Sequence, residues 1–182
     1  MTDPLGEMLA RYTPQGEVEQ ADVELVRALV ASGDPWPRSL AVHVTGSAVI
    51  VHRDSRRVLL RWHARQQAWL QVGGHGDPGE TDPLHVARRE GAEETGLTDL
   101  LPWPDGSIVH VTIVPVPAAK HEPAHEHADI RYVLATVTPD AATPETPGAL
   151  LRWLSVEQAL AEIAEENLRE TLRRVRRLLD TA

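Results

Sequence analysis

The segment GGHGDPGETDPLHVARREGAEETGL, residues 73–97, places a glycine-rich stretch directly before a helical pattern that carries three glutamates. Thr81 or Asp82 can cap the first N–H groups of a helix, and Pro83 suits the first turn, where those groups have no intrahelical partner. Gly96 suits the left-handed conformation that often ends a helix. The segment therefore predicts a helix that begins at Pro83 and ends just before Gly96.

The predicted helix carries carboxylates at i, i+3 and i+4, from Glu90, Glu93 and Glu94, and this spacing places them on one face. Three like charges on one face repel each other unless a cation neutralises them. Because the ligand atoms are oxygens and the chain has no cysteine, we expect Mg²⁺ or Mn²⁺ rather than Zn²⁺ at this face. The pattern indicates metal-assisted chemistry on a phosphorylated ligand.

The segment resembles the Nudix box, G-x5-E-x7-R-E-U-x-E-E-x-G-U, in which U is a bulky apolar residue. The matching positions are Gly74, Glu80, Arg89, Glu90, Glu93, Glu94, Gly96 and Leu97. The sequence departs from the pattern twice, because eight residues separate Glu80 from Arg89 and because Gly91 occupies the first bulky position. We expect the extra residue in the loop at Asp82 or Pro83, which leaves the helical carboxylates unaffected.

The resemblance implies an α+β fold, a Nudix-type α/β/α sandwich in which a mixed β-sheet lies between helices. Before the box, apolar spacing predicts two helices, over residues 4–12 and 17–31, followed by a proline-containing break. We therefore predict an N-terminal helical extension over residues 1–37 and a Nudix hydrolase domain over residues 38–182. The extension either packs against the sheet, covers the pocket or forms a dimer contact.

Short stretches rich in Val, Ile and Leu predict the strands. They cover residues 40–52, 58–63, 69–72, 108–116, 129–137 and 150–154. The first three are predicted to form an antiparallel meander with Gly46 at a bulge, and the polar residues 118–128 are predicted to form a loop. A helix from Ser155 and another over residues 165–179 are expected to end the fold.

The resemblance also implies the roles of the box residues. Metal ligands are expected to be Glu90, Glu93, Glu94 and the carbonyl of Gly74. Catalytic roles are expected for Glu93, Glu94, Arg89 and Glu80. Of these, Arg89 is expected to orient the glutamates rather than touch substrate. The implied reaction is hydrolysis of the diphosphate bond of a nucleoside diphosphate linked to another group, as in a nucleoside triphosphate or ADP-ribose.

Residues outside the box are candidates for substrate binding and for a further acid. Arg61 and Arg131 are predicted to contact the base or phosphate of the substrate, with ordinary sheet packing as the alternative. Many members of the family use an additional acid outside the box, and here the candidates are Glu122, Glu126 and Asp129. The alternative is that these acids belong to a solvent loop whose histidines merely titrate. The general base is expected to be Glu93 or one of these acids.

Two other motifs suggest different functions and are set aside. Residues 121–125 spell H-E-x-x-H, but Pro123 is incompatible with the helix that this zinc-protease motif requires. The last predicted helix has a basic face, formed by Arg169, Arg173, Arg174, Arg176 and Arg177. The formal net charge of −9 and the acidic residues of the same helix disfavour nucleic-acid binding there.

The amino-acid composition excludes several classes of protein and mechanism. The 182 residues include no cysteine, so a disulfide framework and a thiol nucleophile are both excluded, as is an isoprenyl diphosphate isomerase, which uses cysteine. The N-terminal residues lack a signal-peptide pattern, and no run of 18 apolar residues is present. We expect a cytoplasmic protein that binds a small nucleotide substrate and no membrane, with a homodimer left open. The alternative function is a non-catalytic, Nudix-like nucleotide sensor.

Overall fold

The computed structural model describes residues 4–119 and 122–181, which form five α-helices around one mixed β-sheet. The helices are α1 (Pro4–Arg11), α2 (Glu17–Ser32), α3 (Pro83–Thr95), α4 (Val156–Glu162) and α5 (Glu166–Thr181). The strands are β1 (Val42–His52), β2 (Arg57–His63), β3 (Ala68–Leu70), β4 (Val72–His75), β5 (Leu101–Pro102), β6 (His110–Val116), β7 (His125–Ala135) and β8 (Leu151–Ser155). Within these residues, every helix is too short or too polar to cross a membrane.

Strand β1 lies at the centre of the sheet. One edge of β1 pairs antiparallel with β4 and then with β2, and its other edge pairs with β7 in parallel. Strands β5 and β6 pair antiparallel with β7, while β3 and β8 pair antiparallel with β2. Nine of the eleven residues of β1 are buried, because helices or loops cover both of its faces. The mixed sheet confirms the predicted fold class.

Alternating residues of β1 contribute to two separate apolar clusters. Val44 and Ala48 belong to the cluster on the side of α3, where Val86 is also buried. Val49 belongs to the cluster on the opposite side, together with Leu172 of α5. Helices therefore cover both faces of the sheet, as the predicted α/β/α sandwich requires.

The N-terminal helices share the core of the sheet. Leu5 and Val23 are fully buried in the same cluster as the residues of α3. Glu19 of α2 is buried beside Arg174 of α5, at 2.8 Å, and accepts a hydrogen bond from the Val111 N–H at 3.0 Å. The proposed domain boundary at residue 37 stays a prediction, but the packing between the two segments is extensive.

The burial of Arg174 also corrects the predicted basic face of the last helix. Its side chain is only 4% exposed, because it pairs with Glu19 and with Glu170 of its own helix. Arg173 pairs at 2.7 Å with Glu166. These arginines neutralise acids of the same molecule, which leaves fewer of them to meet phosphates.

Two further predictions about local structure are wrong. Gly46 is not at a bulge, because the β1–β7 register runs without interruption from Val42, opposite Glu126, to Val51, opposite Ala135. The segment predicted as a loop over residues 118–128 becomes strand β7 from His125 onward. Its polar side chains lack the apolar alternation that predicts a strand, but its backbone pairs with both β1 and β6. In addition, His121 lies outside the described residues.

Gly46 instead lies where helix α3 packs closely against the sheet. A Cβ atom there would overlap the Pro83 carbonyl oxygen and would lie 3.0 Å from the Val86 Cβ atom. We expect Gly46→Ala to lower the free energy of unfolding by about 1–3 kcal/mol, because the helix must move away. Urea denaturation measures this loss. Gly148→Ala is the matched control because its added Cβ meets nothing within 4 Å; equal stability of the two variants would contradict this packing.

Candidate active site

Helix α3 positions the three glutamates of the box, and its ends agree with the predicted caps. The Asp82 carboxylate accepts a hydrogen bond from the Leu84 N–H at 2.9 Å, and Gly96 adopts the left-handed conformation with φ of 68°. Gly91, which replaces the bulky residue of the family pattern, lies where an added Cβ would be 3.1 Å from Leu100 Cδ1. Close packing of α3 against its neighbours explains this glycine.

Arg89 is the hub of the acidic face. Its Nη1 atom lies 3.0 Å from Glu90 Oε1 and 2.9 Å from Glu93 Oε2, while its Nη2 atom lies 3.0 Å from Glu80 Oε2. Nη2 also donates a hydrogen bond to the His75 carbonyl oxygen at 2.8 Å. Hydrogen bonding to Glu80 raises the pKa of Arg89, and the same contact lowers the pKa of Glu80. These contacts support the expected orienting role of Arg89.

Glu94 is the most enclosed carboxylate of the three. It is 8% exposed, its Oε1 atom lies 3.0 Å from Arg61 Nη1, and its Oε2 atom accepts a hydrogen bond from the Gly73 N–H at 3.2 Å. Burial raises the pKa of Glu94 to about 7 despite the attraction of Arg61. Burial likewise raises the pKa of Glu90, although Arg89 opposes that shift. An additional cation would favour the ionised form of both groups.

The glycine-rich stretch lies directly against this acidic face. A Cβ atom on Gly74 would overlap the Glu90 carboxylate, with Glu90 Oε2 only 2.9 Å away. The absence of a side chain at Gly74 leaves room for the Glu90 carboxylate to lie this close to the β4 backbone. The arrangement brings main-chain groups and carboxylate oxygens together, which is the type of donor set that Mg²⁺ and Mn²⁺ prefer.

A cavity of about 270 Å³ lies beside the acidic face, between strands β1, β4 and β7 and the beginning of α5. It is lined by Thr45, Ser47, Arg61, His63, Gln66, Leu70, Gln71, Gly73, Gly74, His75, Glu94, Val114, His127, Asp129, Arg131, Glu165 and Asn167. The predicted candidates in this lining are Arg61, Gly74, Glu94, Asp129 and Arg131. The cavity therefore brings box residues together with residues that are more than 30 positions away in sequence.

Asp129 and Arg131 line the cavity and form a buried polar network with its other residues. Asp129 accepts hydrogen bonds from the Thr45 and Ser47 hydroxyls at 3.0 and 2.8 Å, and from Arg131 Nε at 2.8 Å. Arg131 also donates to Asn167 at 2.9 Å. Sequence reasoning missed Thr45, Ser47 and Asn167. The available signal was the alternation of these two hydroxyl residues within a strand that is rich in valine.

The other two candidate acids lie away from the cavity lining. The Glu122 side chain is 41% exposed, and its Oε2 atom lies 2.8 Å from Arg65 Nη1. Glu126 stands opposite Val42 in the β1–β7 register, and its N–H donates to the Ala41 carbonyl oxygen at 2.8 Å. Among the three acids, therefore, only Asp129 lies at the cavity, where four side chains, those of Thr45, Ser47, Gln71 and Arg131, already donate to it.

The fold and sequence of this chain resemble those of known Nudix proteins. The NUDIX domain model matches residues 42–175. A probable DHNTP pyrophosphohydrolase of Lactococcus lactis subsp. cremoris (strain MG1363) is 31% identical over 112 residues, which cover 60% of this chain and 64% of that protein. The chain thus matches a little less than two thirds of the length of this curated relative.

Solved structures show the same fold. The C. elegans Ap4A hydrolase binary complex has a TM-score of 0.61 and 21% identity, and covers 76% of this chain and 98% of its own. The E. coli dihydroneopterin triphosphate pyrophosphohydrolase has a TM-score of 0.56 and 20% identity, with coverage of 76% and 96%. A Nudix hydrolase of Clostridium perfringens has a TM-score of 0.57 and 26% identity, with coverage of 75% and 97%.

The family match covers more than half of the chain, and the loop and helix of the box bring Gly74 and Glu94 to the cavity, whereas Glu80, Glu90 and Glu93 lie outside its lining. This chain therefore belongs to the Nudix family of hydrolases.

Proposed function

We propose that this enzyme hydrolyses the diphosphate bond of a nucleoside diphosphate linked to another group, and that the reaction depends on Mg²⁺ or Mn²⁺. The observation that carries this proposal is the acidic face of α3 at the edge of a cavity. There, Glu94 is buried with a raised pKa, and Glu90 lies against the Gly74 backbone. Enclosed carboxylates of this kind are stabilised by a bound cation.

The residues present fit a hard divalent cation. Glu90, Glu93 and Glu94 would hold the ion together with the Gly74 carbonyl. All of these ligands are oxygens, which suit Mg²⁺ and Mn²⁺. When bound, such an ion lowers the pKa of a water and neutralises negative charge on the diphosphate oxygens.

The side chains around the ion have separate tasks. Arg89 holds Glu80, Glu90 and Glu93 in place through its five contacts with their oxygens, so it is a positioning residue. Arg61 forms an ion pair with Glu94 and lines the cavity. We assign it a role in contacting the substrate phosphates.

We assign the proton acceptor to Glu93. Its side chain is 53% exposed, so an attacking water has access to it. Asp129 is the alternative base at the cavity, but the hydroxyls of Thr45 and Ser47 and the guanidinium of Arg131 already donate to its oxygens. These donors occupy both of the oxygens with which Asp129 would accept a proton. Arg131 remains a candidate for substrate binding through the atoms that line the cavity.

The substrate is best identified with a panel. The names of the related proteins motivate dihydroneopterin triphosphate and Ap4A as members, beside ADP-ribose, nucleotide sugars and oxidised nucleoside triphosphates. Products formed in ¹⁸O-labelled water, analysed by mass spectrometry, reveal which phosphorus is attacked. Saturable binding without turnover of any member would favour the nucleotide sensor instead. We also propose a cytoplasmic location, and gel filtration will test for a homodimer.

The catalytic assignment predicts the effect of removing single charges. Glu94→Gln and Glu93→Gln should each reduce Mg²⁺-dependent turnover by about 100-fold or more, because metal binding and charge neutralisation supply several kcal/mol in such reactions. Both variants should still unfold cooperatively. Glu157→Gln, at an exposed position of α4, is the matched control and should retain full activity. Full turnover by Glu94→Gln would disprove its role.

The raised pKa of Glu94 predicts a pH-dependent metal affinity. Below its pKa of about 7 the carboxyl is protonated and cannot bind the ion; above it, the ionised form is present. Mn²⁺ affinity should therefore rise between about pH 6 and about pH 8 and then level off. Titration followed by electron paramagnetic resonance measures this affinity. Glu94→Gln should lose the pH step, and a flat profile in the unmodified protein would contradict the assignment.

The positioning role of Arg89 predicts a separate effect. Arg89→Lys retains the charge but loses the guanidinium fork, so Mn²⁺ affinity should fall by about 10–100-fold. In the presence of a chelator, the variant should also lose about 1–3 kcal/mol of unfolding free energy, because enclosed carboxylates lose their partner. Arg88→Lys, at the neighbouring exposed arginine, should change neither quantity. If Arg89→Lys behaves like Arg88→Lys, Arg89 does not orient the glutamates.

A further inference from the structure

Four histidines meet on one face of three neighbouring strands. His43 belongs to β1, His75 to β4, and His125 and His127 to β7. The register places His43 directly opposite His127, while His75 stands opposite Thr45, two residues after His43. Because side chains alternate along a strand, all four rings project to the same side of the sheet.

The rings point their Nε2 atoms at each other. The distance is 3.1 Å between His43 and His75, 3.2 Å between His75 and His127, and 3.1 Å between His127 and His125. One ring nitrogen from each of the four residues lies within 4.8 Å of all the others. Such convergence is unusual for imidazoles that are merely packed in a core.

The two outer rings are oriented by the backbone. His43 Nδ1 lies 3.1 Å from the Leu40 carbonyl oxygen, and His125 Nδ1 lies 3.0 Å from the Pro123 carbonyl oxygen. A carbonyl oxygen only accepts, so each Nδ1 carries the hydrogen, and the Nε2 atom of each neutral ring presents a lone pair to the cluster. Histidine ligands of metals are commonly held in this way by a backbone carbonyl.

Neutral rings cannot satisfy the three Nε2 contacts with hydrogen bonds. The contacts form a row in which the two end nitrogens, of His43 and His125, are both acceptors. A row of four atoms with three hydrogen bonds must alternate donors and acceptors, so its two ends would have to differ. At least one contact therefore joins two donors or two acceptors at 3.1–3.2 Å. One positive charge inside the cluster, either a proton or a metal ion, removes this conflict.

We propose that His43, His75, His125 and His127 form a binding site for one Zn²⁺ ion, separate from the acidic face of α3. Zinc bound by imidazole has Zn–N distances of about 2.0–2.1 Å, which at tetrahedral angles separates the nitrogens by about 3.3 Å. The three Nε2 contacts of 3.1–3.2 Å are close to this value, and all of the candidate ligand nitrogens lie within 4.8 Å of one another. Imidazole nitrogen suits Zn²⁺ and similar transition metals and does not suit Mg²⁺.

The electrostatic environment favours the ligand form of the rings. Burial lowers the pKa of His127 to about 4 and that of His75 to about 3, and it also lowers the pKa of His43. Neutral imidazole is the form that binds a metal. Four protein ligands complete a tetrahedral shell, so the site has the composition of a structural rather than a catalytic zinc site.

The position of the cluster gives the ion a defined task. His75 directly follows Gly74, and its carbonyl oxygen accepts the hydrogen bond from Arg89. His75 and His127 also line the cavity. A zinc ion here would cross-link β4 and β7 to β1. It would thereby fix the position of the glycine-rich loop relative to the acidic face. The H-E-x-x-H motif contributes His125 to this site, and its partners are His127 of the same strand, His43 of β1 and His75 of β4.

The experiment uses the full-length, tag-free protein and Zn²⁺ alone. After incubation with Zn²⁺ and desalting, mass spectrometry of the metal content should give one zinc per chain. Competition with a chromophoric chelator gives its Kd. Substitution with Co²⁺ should produce the intense visible absorption of a tetrahedral site. Zinc should also raise the melting temperature of the unmodified protein, which requires no variant.

Variants distinguish this site from others. His125→Gln and His43→Gln should each weaken zinc binding by about 100-fold or more, since each removes one of four ligands. His52→Gln is the matched control, because His52 lies at the far end of β1 and hydrogen-bonds Ser55. Glu94→Gln should retain the zinc, so failure of the proposed hydrolase activity would leave this result unaffected. An absence of bound zinc, or full binding by His125→Gln, would overturn the site and favour a protonated cluster.

Discussion

The mutual repulsion of carboxylates on one helix is the constraint on which the arrangement of this site depends. Glu90, Glu93 and Glu94 are held on one face of α3, two of them largely withdrawn from water. Arg89 offsets part of the repulsion, and Arg61 offsets another part from β2. Burial nevertheless raises the pKa of Glu90 and Glu94 against the attraction of these arginines, so the folded protein favours one more cation at this face.

Strand β1 connects that acidic face to the rest of the cavity. On one side of the strand, Gly46 lets α3 approach closely. On the other side, Thr45 and Ser47 hold Asp129, and His43 meets the rings of β4 and β7. A single strand thus sets the relative positions of helix α3, the Asp129 network and the histidine cluster. This explains why a strand with nine buried residues carries so many polar side chains.

The sequence predicted the local parts of this structure well. The helix over Pro83–Thr95 has the predicted bounds, since caps and proline act within one turn. The reach of Arg89 to Glu93 followed from helical spacing alone. The strand from His125 and the uninterrupted register at Gly46 were not predicted, because both result from pairing with partners about 80 residues away. A polar segment that pairs with neighbouring strands does not show the alternation of apolar and polar residues by which strands are predicted.

The sequence by itself determined the charges, the helix and the family resemblance, because these depend on residues within a few turns of one another. Only the tertiary structure decided which polar groups share a space. It buried Arg174 against Glu19, placed Asp129 beside Thr45, and gathered histidines from three strands. The physical reason is that sheet register, set by the packing of whole strands, converts distant positions into neighbours separated by about 5 Å.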